Sequence, residues 1–406
     1  MHLGRAFWRL LASSGFSNLA DGTFKVVLPL VAVQITREPA LIAGLVFALT
    51  LPWLVLTLPA GAVVDRFDRR VIMLAANTTR AALLAALAGA VALDVAGIGL
   101  LYAIALGVGA AEILYDTCAH SLLPQVVARD RLPRANARLF AVELTANEFL
   151  GPAAAGLLVA AGAVVAFTVP AALWLVAVVV LLAVRGAFRV PRQQRTTLRA
   201  DIAEGIRFLV RHRLLRALAA MVGVFNLASS ATAAVFVLYA VGPGSAMGLT
   251  DRVFGLLLTT PAIGSLAGSL AAERLVARLG RARALGLGFT AGTLLLAAPA
   301  VTTDPYAVAA AFAVAGFGIA VLNVVAISLR QQVTPDRLLG RVNSAYRMVA
   351  WGTMPLGAVL GGALAHLVGL RALFAVATAL ALTALLGLLT VTDRRIDEAL
   401  RAVSPG

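Results

Sequence analysis

The sequence predicts an all-α membrane protein with twelve transmembrane helices, and three observations lead to this prediction. Of its 406 residues, 61% are hydrophobic and 13% are charged, whereas roughly a quarter of the residues in a soluble domain are charged. Long apolar runs recur along the chain, and ~20 residues per crossing plus short loops accounts for about twelve of them. The basic residues fall almost entirely between alternate runs. Little of the chain is left for a soluble domain.

Apolar runs bounded by proline, glycine or charge place the individual helices to within several residues. The first six are expected at 10–34, 40–63, 71–93, 96–123, 139–162 and 165–185. The second six are expected at 215–241, 251–273, 283–302, 306–329, 343–367 and 371–392. The predicted domains are an N-terminal six-helix bundle at 1–185, a cytoplasmic linker at 186–214, a C-terminal six-helix bundle at 215–392 and a cytoplasmic tail at 393–406.

The linker contains apolar residues at helical spacing and so predicts an amphipathic helix. These residues are Leu198, Ile202, Ile206 and Leu209, with charged side chains between them. Nine arginines lie between positions 185 and 216. A basic amphipathic helix of this kind is expected to lie on the cytoplasmic face of the membrane.

The distribution of basic residues predicts the orientation of the chain. If both termini lie on one side, that side receives 30 of the 34 basic residues, with Arg80 and Arg347 counted as flanking helix ends. The opposite loops receive Arg37, Arg252 and Arg371. Such a bias predicts a multi-pass protein of the cell membrane with both termini in the cytoplasm. It also accounts for the net charge of +15 without a nucleic-acid partner.

The residues needed for enzymatic chemistry are missing from the sequence. It contains no G-x-S-x-G element, no phosphate-binding loop and no cluster of histidine and cysteine ligands. Cys118 is the single cysteine, so an intramolecular disulfide is impossible and a metal site is not expected. The N-terminus does not have the pattern of a cleavable signal peptide. We therefore expect no catalytic residue, no metal, no cofactor and, without a nucleotide-binding domain, an ion gradient as the energy source.

The two halves of the chain repeat each other at an offset near 206 residues. Residues 130–132 and 336–338 both read Asp-Arg-Leu, while Gly151 corresponds to Gly357 and Gly156 to Gly362. Two six-helix repeats in the same orientation, joined by a linker, are typical of transporters.

The loop between predicted helices 2 and 3 resembles the best-known motif of the major facilitator superfamily. That motif reads Gly-x-x-x-Asp-Arg/Lys-x-Gly-Arg/Lys-Arg/Lys, and its counterparts here are Gly61, Asp65, Arg66, Arg69 and Arg70. Asp68 replaces the usual second glycine, although aspartate also tolerates tight turns. The resemblance covers essentially the whole chain and implies the twelve-helix fold of that superfamily.

A second motif resembles the helix-5 element of the exporters in that superfamily, which reads Gly-Pro-x-x-Gly-Gly. Its counterparts are Gly151, Pro152 and Gly156, with Ala155 in place of one glycine. The proline removes a backbone hydrogen bond and permits a bend. By resemblance this motif favours export, and the segments LPQVVARDRLPRANA and QQVTPDRLLGRVNSA are similar to macrolide and siderophore exporters.

A latch on the cytoplasmic side is the physical interpretation of the first motif. Gly61 would let two helices approach closely, and Asp65 would accept hydrogen bonds at a facing helix N-terminus. Asp116, toward the cytoplasmic end of predicted helix 4, is favoured as the partner of a motif arginine. The alternative is a basic loop that serves only to orient the chain.

Ionisable side chains within the apolar runs are the candidate site, because a charge in hydrocarbon must face a partner or a cavity. Asp21 and Lys25, four residues apart in helix 1, are expected to pair directly. Asp21 is either a titrating or substrate-binding carboxylate or half of a structural ion pair. Glu112 is favoured as a coupling carboxylate that faces a cavity, and Glu148 is a further candidate proton carrier.

The second half has far fewer such groups, and polar residues such as Asn226 and Ser230 are expected to join helices. This asymmetry favours proton coupling in the first half and apolar substrate contacts in the second. The leading hypothesis is thus a monomeric, proton-coupled exporter of a small hydrophobic or amphipathic molecule, embedded in membrane lipid. A lysolipid flippase of the same fold and a non-transporting membrane sensor remain alternatives.

Overall fold

A computed structural model describes residues 3–64, 66–127, 131–184, 186, 188, 198–335 and 338–403 of the chain. The described residues are nearly all helical, with a single isolated β-bridge between Val241 and Leu249. Twelve helical stretches are long and apolar enough to cross a membrane. The predicted all-α fold with twelve spans is therefore confirmed.

The helices of the first part of the chain begin close to the predicted positions. They are α1 (Arg5–Ile35), α2 (Pro39–Val64), α3 (Arg69–Ala92), α4 (Ile98–Val126), α5 (Leu132–Leu144), a π-helical segment (Thr145–Leu150), α6 (Gly151–Ala161) and α7 (Ala163–Leu182). The α5, π-helical and α6 segments together make up the fifth span.

The remaining helices follow the linker. They are α8 (Leu198–Arg211), α9 (Arg213–Ala240), α10 (Asp251–Leu257), α11 (Thr260–Leu279), α12 (Arg281–Gly292), α13 (Leu294–Val301), α14 (Pro305–Val333), α15 (Leu339–Val368), α16 (Leu370–Thr383), a 3₁₀ segment (Ala384–Leu389) and α17 (Asp393–Val403). Breaks divide the eighth span between α10 and α11 and the ninth between α12 and α13.

The chain forms two compact units whose boundaries differ from the predicted bundles. One unit contains 1–193 and 237–259, and the other contains 194–236 and 260–406. The end of α9 belongs to the first unit because Arg37 donates a hydrogen bond to the Val241 carbonyl (3.2 Å) and α10 packs on α6. Sequence periodicity detects whole helices, so it could not detect a helix that is shared between units.

The fifth span departs from α-helical geometry next to the Gly151-Pro152 pair, at which the sequence predicts a bend. The chain widens to π-helical geometry immediately before Gly151. A proline ring clashes with the carbonyl four residues earlier and leaves it without a donor. A π-helical turn is one way for a helix to absorb that disruption.

The linker helix α8 is present and packs within the second unit. Its Leu209 is buried in the core of the second unit, and Gly205 approaches the backbone of Arg341 at the start of α15. Glu204 forms an ion pair with Arg341. The described part of the apolar face, Ile206 and Leu209, thus packs in the core of the second unit beside α15. The location of this helix on the cytoplasmic face of the membrane stays a prediction. The rest of the linker lies mostly outside the described residues.

The predicted charged tail folds as the helix α17. Asp393 accepts a hydrogen bond from the Ala282 amide (2.9 Å), and Asp397 lies 3.7 Å from Arg281. Ile396 is completely buried. The tail is thus anchored to the start of α12 by an apolar contact and by its acidic side chains.

Paired glycines bring α11 and α14 into close contact. A Cβ atom on Gly264 would meet the Ala313 carbonyl, and one on Gly316 would meet the Pro261 carbonyl. Ser265 donates a hydrogen bond to the Gly316 carbonyl (3.0 Å). Small residues at such crossings allow backbones to approach in lipid, where packing replaces the hydrophobic effect as the driving force.

We expect Gly316→Ala to destabilise the protein by about 1–3 kcal/mol, because the added methyl group overpacks a backbone contact. Gly89→Ala is the matched control, since Gly89 lies inside α3 with open space at its Cβ position and alanine is the better helix former. Thermal unfolding in detergent measures both variants. Equal melting temperatures for the two variants would show that the crossing is not tightly packed.

Candidate functional site

A polar stripe on α1 is the foundation of the candidate site. Ser14, Ser17, Asn18 and Asp21 are all buried, although α1 is one of the spans. Asn18 donates hydrogen bonds to the Ser14 carbonyl (2.9 Å) and hydroxyl (3.2 Å). Helical spacing places these residues and Lys25 on one side of α1.

Asp21 forms an ion pair with Arg80 of α3. The Arg80 Nη1 atom lies 2.5 Å from the Asp21 carboxylate, and the Arg80 side chain is completely buried. Arg80 also donates to the Ser17 hydroxyl (3.2 Å) and to the Asn77 side-chain carbonyl. Burying two charges is costly, and these extra hydrogen bonds offset the lost hydration.

Two aromatic rings complete the surroundings of Arg80. The guanidinium carbon lies 4.8 Å from the ring centre of Tyr115 on α4 and 5.1 Å from that of Trp174 on α7. Ring faces attract cations, and more strongly when water is excluded. Arg80 therefore contacts α1, α4 and α7 from its position on α3.

The interpretation of Arg80 as an arginine flanking a helix end is wrong. Arg80 lies at the midpoint of α3 and is buried, so it belongs to the candidate site. Its position ten residues inside a predicted helix was the available signal. Counting the basic residues on each side of the membrane did not use this information, because the count assigned every arginine to one membrane surface.

Lys25 pairs with Glu112 of α4 and not with Asp21. Its Nζ atom lies 2.9 Å from the Glu112 carboxylate, and the two side chains are 37% and 8% exposed. The prediction of a direct Asp21–Lys25 pair is wrong, because each residue has a partner on another helix. The sequence therefore identified three members of two ion pairs but did not reveal how they pair.

The other two predicted acidic residues have different surroundings. Asp116 lies one turn beyond Glu112 and is partly buried, whereas Glu148 lies in the π-helical segment and is exposed. Within the described part of the chain, neither residue belongs to an ion pair. Lys25 therefore has Glu112 as its ion-pair partner, and Asp21 lies one turn earlier on the same helix.

Glycines hold the fifth span against α1 beside these charges. A Cβ atom on Gly151 would meet the backbone of Gly22, and one on Gly22 would meet the backbone of Asn147. Asn147 also donates to the Asn18 side-chain carbonyl (3.4 Å). Gly151 of the helix-5 motif therefore packs on Gly22, the residue that follows Asp21 in α1.

The rest of that motif contacts α10. A Cβ atom on Gly156 would meet the Asp251 carbonyl, and one on Gly255 would meet the Pro152 carbonyl. The backbones touch because glycine is present on both sides. Gly156 and Pro152 are thus packing residues in this conformation.

The first loop motif ties α3 to the end of α7. Arg70 donates to the carbonyls of Leu181 (3.2 Å) and Leu182 (2.8 Å). Asp68 caps α3 by accepting from the amides of Arg70 and Val71, and its other oxygen accepts from the Phe188 amide (2.8 Å). The departure from the family pattern at Asp68 therefore has a structural role.

The predicted latch is only partly visible. Gly61 lies in α2, Arg66 is exposed and Arg69 begins α3, whereas Asp65 lies outside the described residues. Arg70 bonds to the carbonyls of α7, and none of the ion pairs in the described ranges includes Asp116. The structure therefore does not support Asp116 as the partner of a motif arginine.

Polar residues in the second unit join helices, as expected. Asn226 donates to the Ala350 carbonyl (2.8 Å), and Ser230 donates to the Met354 carbonyl (2.7 Å). Both bonds connect α9 to α15. Among the described residues, no group of histidine, cysteine, aspartate or glutamate could hold a metal ion.

Comparison with known proteins gives the family. The family model described as transmembrane secretion effector matches residues 4–404. The uncharacterized MFS-type transporter y4rN of Sinorhizobium fredii is 31% identical over 87% of each chain. The multidrug efflux pump Tap of Mycobacterium tuberculosis is 28% identical over 98% of this chain and 94% of its own.

A solved structure agrees on the fold. A mutant form of the nucleoside transporter NupG superposes with a TM-score of 0.79 at 12% identity, over 95% of this chain and 99% of that chain. The twelve spans, the two sequence motifs and the family match all indicate a major facilitator transporter. The chain belongs to the transmembrane secretion effector family of the major facilitator superfamily, and it is a multi-pass membrane transporter and not an enzyme.

Proposed function

We propose that the protein exports a small hydrophobic or amphipathic cation across the cell membrane in exchange for protons, by alternating access. The observation that carries this proposal is the pair of adjacent ion pairs in the first unit. One pair, Asp21–Arg80, is closed off from the surroundings, and the other, Lys25–Glu112, is accessible at its cation.

Asp21 serves as a fixed structural charge in this proposal. Its partner Arg80 is held by Ser17, Asn77 and two aromatic rings. Protonating Asp21 would leave the Arg80 charge buried without a counter-ion, which costs several kcal/mol. The pair therefore acts as a structural contact between α1 and α3.

Glu112 is the carboxylate that changes its protonation state. Its partner Lys25 is partly exposed, so the ammonium group can move toward solvent or toward Glu148 when Glu112 becomes neutral. A proton and a cationic substrate both compete for the negative charge of one carboxylate. Binding of one therefore favours release of the other, and this competition is the basis of exchange.

The direction of transport is proposed from two observations. The helix-5 motif residues Gly151, Pro152 and Gly156 resemble those of exporters and pack against α1 and α10. The relative Tap bears the name multidrug efflux pump. An export role, both termini in the cytoplasm, a monomeric state and no cofactor besides the proton gradient form one consistent proposal.

Conformational change is proposed to separate the contacts made by these glycines. The contact of Gly156 and Gly255 has no side chains between the backbones, so it can separate and re-form without rearrangement of rotamers. The first loop motif, with Gly61, Asp65, Arg66, Arg69 and Arg70, remains a candidate latch for the cytoplasmic side.

Glu112→Gln is expected to lower pH-gradient-driven efflux at least tenfold and to abolish the pH dependence of substrate binding to the purified protein. The reason is that glutamine cannot exchange a proton. Ethidium movement in everted vesicles with an imposed pH gradient measures the rate. Glu273→Gln is the control, because Glu273 is exposed on α11.

Two results would contradict this assignment. Unchanged proton-driven efflux by Glu112→Gln would exclude Glu112, and loss of efflux in Glu148→Gln alone would make Glu148 the proton carrier. If the wild-type protein moved a labelled lysophospholipid but no cationic dye, the flippase alternative would replace the exporter.

Asp21→Asn is expected to destabilise the protein by roughly 3–5 kcal/mol, because it leaves the Arg80 charge buried and unpaired. The double variant Asp21→Leu with Arg80→Leu is expected to recover most of that loss, since apolar residues often replace buried ion pairs without cost. Thermal unfolding in detergent compares them. A stable Asp21→Asn protein that lacks only proton coupling would instead make Asp21 the titrating group.

Gly255→Val is expected to reduce transport several-fold with a smaller effect on substrate binding, because its side chain would collide with the Pro152 carbonyl and keep α6 and α10 apart. Gly99→Val is the control, since Gly99 lies in α4 with open space at its Cβ position. Vesicle transport and dye binding are both measured. Wild-type transport by Gly255→Val would show that this contact does not form during the cycle.

A further inference from the structure

A groove in the second unit lies between the start of α9 and the 3₁₀ segment that ends the twelfth span. Its volume is about 540 Å³. The α9 wall presents Arg213, Arg216, Ala217, Ala220, Met221 and Val224. These residues recur every three or four positions, so they form one face of the helix.

The groove changes from charged to apolar along α9. Its two arginines lie at the start of the helix, and Val224 lies about 16 Å further along the axis at 1.5 Å per residue. That length equals about half of a bilayer's ~30 Å hydrocarbon core. The groove therefore has the dimensions of one lipid leaflet, with its cations at the head-group end.

The opposite wall is formed by the 3₁₀ segment. Small residues, Ala384 and Gly387, line it, and a Cβ atom on Gly387 would collide with the Met221 side chain. The neighbouring Leu386 and Leu389 are exposed. An acyl chain can thus lie along this wall without leaving the membrane.

The two groove arginines differ from other arginines of the same unit. Arg281, Arg341 and Arg394 each pair with a carboxylate. In the described part of the second unit, neither Arg213 nor Arg216 forms an ion pair, and both are exposed. Arg216 donates one hydrogen bond to the Val210 carbonyl (3.1 Å), but no carboxylate in the described part of this unit pairs with either arginine.

The neighbouring carbonyl groups do not repel an anion at this position. Arg395 donates to the carbonyls of Leu389 (3.0 Å) and Thr390 (3.2 Å). These are the free carbonyls at the end of the 3₁₀ segment, where the helix dipole is negative. Arg395 compensates these two carbonyls, so among the described residues the only carbonyl bonded to a groove arginine is that of Val210, on Arg216, and the net positive charge of both arginines remains for an anionic ligand.

We propose that this groove binds one anionic glycerophospholipid, with its phosphate on Arg213 and Arg216 and an acyl chain along Ala217, Ala220 and Val224. Basic pockets between membrane helices are suited to anionic head groups. The site is separate from the ion pairs of the first unit and does not depend on the exporter proposal.

The test uses the full-length protein in detergent, titrated with phosphatidylglycerol or phosphatidylcholine of identical acyl chains. Native mass spectrometry counts the bound lipids. The wild-type protein is expected to retain one phosphatidylglycerol in preference to phosphatidylcholine. Arg213→Gln with Arg216→Gln is expected to weaken phosphatidylglycerol binding about 30-fold, which is the effect of removing two basic side chains at an anionic surface.

Arg207→Gln with Arg211→Gln is the matched control, because both arginines are exposed on α8 outside the groove and the change in net charge is the same. This control is expected to keep the wild-type preference. If both double variants lost the same amount of phosphatidylglycerol binding, the proposed site would be wrong, and the lipid would be attracted only by the overall positive charge of this surface. Competition by inorganic phosphate at concentrations that leave phosphatidylcholine unaffected would instead assign a free-anion site and exclude the lipid.

A further variant tests the acyl-chain part of the proposal without altering charge. Ala220→Leu fills the groove at an exposed position of α9 and is expected to weaken binding of both lipids. The single variants Arg213→Gln and Arg216→Gln are each expected to lose about fivefold, and they decide the question if the double variant does not fold. Unchanged lipid binding in all three would refute the proposal.

Discussion

The ion pair between Asp21 and Arg80 is the interaction on which the rest of the first unit depends. A lone arginine at the midpoint of a membrane span is costly, and Arg80 is completely buried. Its charge is tolerated because α1 supplies the carboxylate and a hydroxyl, while α4 and α7 supply ring faces. Each of these helices must hold its position for Arg80 to remain compensated. Arg80 therefore constrains the relative positions of α1, α3, α4 and α7.

This constraint gives the adjacent Lys25–Glu112 pair its proposed role. Both pairs join α1 to a neighbouring helix, yet Lys25 is partly exposed and Arg80 is not. In the proposed mechanism the Asp21–Arg80 pair holds the backbone of α1 while the Lys25–Glu112 pair breaks and re-forms. Gly22, between the two pairs in sequence, admits the backbone of the fifth span. The Lys25–Glu112 pair therefore lies near the fifth span, which carries Glu148 and the exporter-like motif.

Hydropathy predicted the helices well because membrane spans require long apolar runs, and the two motifs pointed to the family. The partners within the candidate site could not be predicted in the same way. Asp21 and Lys25 lie four residues apart on α1, so spacing alone favoured a direct pair, whereas their actual partners lie on α3 and α4. Arg80 was assigned to a membrane surface because positive-inside statistics treat all arginines alike. Ile206 and Leu209 of α8 pack in a protein core, yet their spacing is the same as that of a helix face that lipid would cover.

The distribution of charge between the units suggests a division of labour. In the described part of the second unit, the ion pairs Arg281–Asp397, Arg341–Glu204 and Arg394–Glu398 all involve side chains at least about one-third exposed. Its spans are joined by neutral hydrogen bonds, such as that from Asn226 to Ala350, and by glycine crossings. Neutral contacts of this kind do not respond to a proton. In the proposed mechanism the proton acts on carboxylates of the first unit, whereas the ligand proposed for the second unit is a lipid on Arg213 and Arg216.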